Sequence, residues 1–169
     1  DSVASPNNGQ GGGGTPSAVP SQTVSGKIGS AQTFDGTEDY ILIGDVAWPS
    51  GIDKLTGSAW IKQTTLGSRR GLISKWNGGN TSFYFEAGGS GAPEDELWSF
   101  IATTLNSTGD ANLLTTTANR TAEIYQYVTF VYDGTAAAAD RAKIYLNGAL
   151  VSGAASGMPA SLTVTKVRY

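Results

Sequence analysis

Tyr127 to Gly148 reads Y-V-T-F-V-Y-D-G-T-A-A-A-A-D-R-A-K-I-Y-L-N-G, and the pattern of this stretch decides the fold. Val128, Phe130 and Tyr132 alternate with Thr129 and Val131, the period-two signature of a strand with one face against a core. Asn147-Gly148 stands between Lys143-Ile144-Tyr145-Leu146 and Ala149-Leu150-Val151, and Asn-Gly supplies the two positive φ angles of a type I′ turn. A β-hairpin is expected there. Asp133 to Asp140 reads as an exposed loop, because Ala136 to Ala139 is too short to hold a helix by itself.

Working outward, Leu55, Gly57, Ala59 and Ile61 alternate with Thr56, Ser58, Trp60 and Lys62, which predicts a second two-faced strand. Further strands are predicted over Tyr40 to Ile43, Gly71 to Ser74, Ser82 to Glu86, Leu97 to Thr103 and Leu162 to Val167. Short β-type runs separated by turn residues from Lys27 onward are the spacing of a sandwich, not of an alternating α/β protein. Asp1 to Ser25, with Gly11 to Gly14 in a row, loses too much backbone entropy to form a helix or a central strand and is predicted to be a loop or linker. Residues 26–169 are then read as one domain.

The second phrase that matters is Gly26 to Ile43, G-K-I-G-S-A-Q-T-F-D-G-T-E-D-Y-I-L-I. Together with L-T-G-S-A-W-I-K at Leu55 to Lys62 and the Tyr127 to Gly148 stretch, it resembles the laminin-G-like family of concanavalin A-type jelly rolls. The resemblance implies an all-β, two-sheet antiparallel jelly-roll sandwich that binds glycans or proteins outside cells. It also implies that the family's first and last strands are missing here, leaving sheet edges able to pair with another chain. Trp60 fills the family's W-I-K position and is expected to be a buried architectural residue.

Composition narrows the function further. The chain has 169 residues, with 11 basic and 14 acidic side chains and no histidine, a net charge of −3. That balance offers no attraction to nucleic acid or to an anionic membrane surface. Cysteine is absent as well, so Ser-His-Asp and Cys-His nucleophilic machinery, imidazole bases and the usual zinc sites are excluded. Only carboxylates are left as catalytic groups, and no enzyme activity is expected. No run of about 18 apolar residues occurs and the first twenty residues lack a signal-peptide pattern, so neither a leader nor membrane insertion is read.

Candidate sites follow from the remaining chemistry. Asp35, Glu38 and Asp39 gather carboxylates around a turn, the oxygen-rich setting that calcium requires, although Asp-Gly and Asx turns use the same carboxylates to hold backbone amides. Asp45 stands close by in sequence. Trp76 with Asn77 and Asn80 joins an aromatic plate to two amides beside Gly78-Gly79, a sugar-binding combination; Tyr84 and Trp98 are predicted to line the same groove. The competing reading is that an aromatic at a strand end covers the edge of the core. Trp48, beside Pro49, is a further rim aromatic. Glu94-Asp95-Glu96 is the one carboxylate cluster available to a glycoside hydrolase of this architecture, but it reads better as a solvated turn. Sequons begin at Asn80, Asn106 and Asn119 and decide nothing by themselves.

The expectation is a non-catalytic, secreted or surface-exposed recognition module for a carbohydrate or glycoprotein. The alternative is an assembly subunit that packs against copies of itself through open sheet edges. A weaker third is a glycoside hydrolase using Glu94 and Glu96.

Overall fold

The computed structural model describes residues 9–23, 25–43, 52–67, 69–77, 80–88, 97–102, 111–115, 120–155 and 157–162, with the backbone alone at residues 23, 76–77, 80–82, 98–102 and 111–115. These fall into two compact units, residues 1–47 and 48–169.

In the first unit, chain reversals bring short strands together. β1 (Gln10–Gly11) is antiparallel to β4 (Ile41–Leu42), and β2 (Ser21–Thr23) is antiparallel to β3 (Ala31–Thr33). A glycine turn at Gly12–Gly14 and a second 3-10 turn at Pro16–Ala18 link β1 to β2, with proline setting φ for the turn it opens. Tyr40 ties the two ends, since Gly12 N–H donates to its carbonyl at 2.8 Å and its own N–H donates to Ala18 at 3.2 Å.

The second unit is built on the alternation read from the sequence. β5 (Lys54–Ile61) exposes every second residue, and β10 (Gln126–Asp133) buries Gln126, Val128, Phe130 and Tyr132. β10 pairs antiparallel with β5, placing Val128 opposite Ala59 and Phe130 opposite Gly57, and on its other side with β11 (Ala142–Leu146). β11 turns through Asn147 (φ 52°) and Gly148 (φ 85°) into β12 (Ala149–Leu150). The predicted Asn-Gly hairpin therefore stands, completing a sheet of order β12-β11-β10-β5.

The facing sheet has the order β6-β7-β8-β9: β6 (Arg70–Asn77), β7 (Asn80–Ala87), β8 (Leu97–Ala102) and β9 (Ala111–Thr115), all antiparallel. Phe83, Phe85 and Ala87 alternate inward and meet Val128, Phe130 and Ile144 of the first sheet in one core. Phe85 and Phe130 stack across the interface with ring centroids 5.7 Å apart. Each buried Val, Ile or Phe side chain among them contributes about 1.5–3 kcal/mol of burial. Ala155, Met158 and Leu162 close one side of the core, and Leu162 is anchored by its N–H donating to Ile52 at 2.8 Å. The result is an all-β sandwich. The strand predicted over Leu162 to Val167 lies, beyond Leu162, outside the described residues. No helix among the described residues is long and apolar enough to cross a membrane.

Candidate functional site

Pleating leaves one face of each sheet away from the core, and the chemistry is richest on the outward face of β5, β10 and β11. Trp60 and Tyr127 are directly opposite each other across β5 and β10. Their ring centroids lie 5.2 Å apart with the planes tilted by 45°, within the separation at which aromatic pairs attract. Trp60 remains 41% exposed. The Tyr127 hydroxyl donates to Ser58 Oγ at 2.9 Å, one row along β5, which fixes the phenol and leaves the serine proton available to another acceptor. Tyr145 on β11 sits opposite Thr129 and Leu150, and Leu150 is 54% exposed. Beyond the end of β5, the Lys62 ammonium lies 5.6 Å from the centre of the Tyr125 ring. This is an amphipathic plate of aromatic faces interleaved with hydroxyls.

The expectation that Trp60 is buried is overturned. Trp60 lies on the face of β5 turned away from the core, where it remains 41% exposed. Period two assigns residues to faces without saying which face is packed. From the sequence alone Trp60 therefore reads as an architectural residue and not as a ligand contact.

Tyr84 occupies the face of β7 opposite Phe83 and Phe85, where a charged network holds it. Arg69 Nη2 is 2.7 Å from Glu86 Oε1, Arg69 Nε donates to the same oxygen at 2.9 Å, and Nη2 reaches the Tyr84 hydroxyl at 3.3 Å. Glu86 is only 5% exposed, a position a carboxylate tolerates only when paired. The bond to Glu86 raises the Arg69 pKa, and burial raises that of the Tyr84 phenol. In the ladder Trp76 pairs with Thr81, Asn77 with Asn80, Tyr84 with Ser74 and Phe100, and Trp98 with Glu86. All five predicted ligand residues thus belong to one sheet, but Glu86 lies six positions beyond Asn80, about 20 Å along a strand. Trp98 is therefore distant in register from the Asn77–Asn80 end. The side chains of Trp76, Asn77, Asn80 and Trp98 lie outside the described residues, as do Trp48, Asp45, Glu94 and Glu96.

Asp35, Glu38 and Asp39 do meet in a single turn. Asp35 accepts from Thr37 N–H at 2.8 Å, from the Thr37 hydroxyl and from Glu38 N–H at 3.3 Å, while Asp39 Oδ2 accepts from Asp35 N–H at 2.8 Å. The Thr37 hydroxyl, chiefly, holds the Asp35 carboxyl down to about 2. The same Asp-Gly-Thr device recurs at Asp133, whose Oδ1 accepts from Thr135 N–H at 3.0 Å and from its hydroxyl at 2.6 Å. Among the described residues no group of three or more acidic side chains is arranged to hold a metal ion.

The profile of the concanavalin A-like lectin/glucanases superfamily, in its laminin G form, matches residues 35–167. The chain belongs to that family. Comparison with curated proteins and with solved structures found no match. The laminin-G-like sandwich resemblance read from Gly26 to Ile43, Leu55 to Lys62 and Tyr127 to Gly148 is therefore borne out at the level of family and fold.

Proposed function

We propose that this laminin-G-like domain is a non-catalytic recognition module that binds carbohydrate, in a secreted or surface-exposed setting, on the outward face of β5, β10 and β11. The observation that carries this reading is the exposed Trp60 against the half-buried Tyr127, with Ser58 beside them: a sugar ring stacks its C–H face on the indole while its hydroxyls bond to the flanking side chains. Against turnover stands the absence of histidine and cysteine. The carboxylates of Asp35 and Asp133 are held in turns and Glu86 is held by Arg69, so none of these three is poised as an acid or base.

The test is a glycan array probed with the native chain and with Trp60→Ala, with calcium and with chelator. Saturable binding that the substitution removes supports the plate; binding that only the chelator removes points to the Asp35 turn instead. A second reading, an assembly subunit, is favoured by the apolar surface of the first unit, where Ile28 is 79% exposed and Phe34, Ile41 and Ile43 are exposed too. Sedimentation velocity across a concentration series tests it, with a concentration-independent monomer counting against it.

A further inference from the structure

We infer that the outward plate of β5, β10 and β11 takes an uncharged glycan, a stretch of neutral polysaccharide, and discriminates against sulfated and uronic-acid-bearing chains. This rests on the carbohydrate reading above and adds the class of sugar. An aromatic plate flanked by lysines would ordinarily suit an anionic glycan, because ammonium groups beside a stacking surface attract sulfate and carboxylate. Here the lysines of the plate are already neutralised. Lys54 lies 3.1 Å from Asp133, Lys62 lies 3.7 Å from Glu123 and Lys143 lies 3.2 Å from Asp140. Arg141, at the end remote from Trp60, donates to the carbonyls of Met158 at 2.7 Å and Ala136 at 3.3 Å. Each ammonium therefore stands beside a carboxylate that repels sulfate and uronate, and an anionic chain would also approach a chain of net charge −3.

The layout also suits a chain more than a single sugar. Trp60, Tyr127 and Tyr145 come from three neighbouring strands, so the outer two lie about 10 Å apart across the sheet. Beside them on the same face stand hydroxyls, the exposed Ser58 and the half-buried Thr129, which match uncharged sugar hydroxyls without a counter-ion.

The experiment follows the indole N–H resonances of the native chain while neutral hexasaccharides (cello-, xylo-, manno- and laminari-) and heparin and chondroitin sulfate hexasaccharides are titrated at low and high salt. Trp60→Phe assigns the Trp60 peak. The expected result is a shift of that peak by at least one neutral sugar, with a Kd that changes less than about twofold with salt, and no shift by the sulfated sugars. Glu123→Gln, which releases Lys62, should then admit the sulfated sugars with an affinity that falls as salt rises. Salt-sensitive binding of heparin fragments by the native chain, at the Trp60 peak, would overturn the inference while leaving the plate as a carbohydrate site. Absence of any shift with either class would overturn the carbohydrate reading, and the inference with it.

Discussion

The Asp-Gly-Thr turns show one motif answering two different demands. Gly36 adopts φ 79°, a conformation that costs most residues about 1 kcal/mol or more. Gly134 is required by space: a Cβ there would lie 1.9 Å from the Ala160 carbonyl oxygen. Gly134→Ala should therefore destabilise by about 2–4 kcal/mol in urea unfolding. Gly57→Ala is expected to cost less than about 1 kcal/mol, because the atom met at 2.7 Å is the mobile Cδ1 of Ile73. Equal costs would contradict the steric account. Asp35 also sets a pH dependence. Its carboxyl is depressed from 3.8 to about 2, first by the Thr37 hydroxyl, so its contribution is complete above the unfolded value and disappears as pH falls from about 4 through 2. Thr37→Ala should raise the Asp35 value part of the way back, read from carboxyl carbon shifts. An unchanged titration would remove the hydroxyl as the cause. Nothing in the sequence distinguishes the two glycines, since the partner of Gly134 stands 26 positions away.

At the scale of the elements, β10 carries the sandwich, because it is hydrogen-bonded on both edges and aims Val128, Phe130 and Tyr132 into the core. Phe130→Ala should cost about 3–5 kcal/mol by calorimetry. Gly148→Val, which forces a β-branched residue into φ 85°, should cost about 1–3 kcal/mol and loosen β11 from β12 first, visible in amide exchange. A stable Gly148→Val hairpin would contradict the type I′ assignment. β5, β10 and the Asn-Gly hairpin were legible because alternation and turn chemistry are local. β9 was not: Ala-Asn-Leu-Leu-Thr at Ala111–Thr115 has no period-two pattern and owes its place to pairing with β8. The face of Trp60 was equally illegible, since exposure depends on what the rest of the chain lays over a strand.

At the scale of the whole molecule, a sandwich needs only its inner faces for stability, and the outer faces are free to carry function. In this chain the two outer faces differ. Tyr84 and the buried Glu86 are fixed by the partly exposed Arg69, whereas Trp60, Tyr127 and Tyr145 form an aromatic plate whose flanking charges are paired. The composition had pointed to recognition without catalysis, and the family phrases to the laminin-G-like fold. The location of the plate required the register of three strands. The most direct measurement is the indole spectrum of the native chain during titration with neutral hexasaccharides. A saturable shift of the Trp60 resonance, with calorimetric binding of the same sugar lost in Trp60→Ala, is the expected result. Shifts confined to Trp76 or Trp98 would contradict it and transfer the site to the opposite sheet.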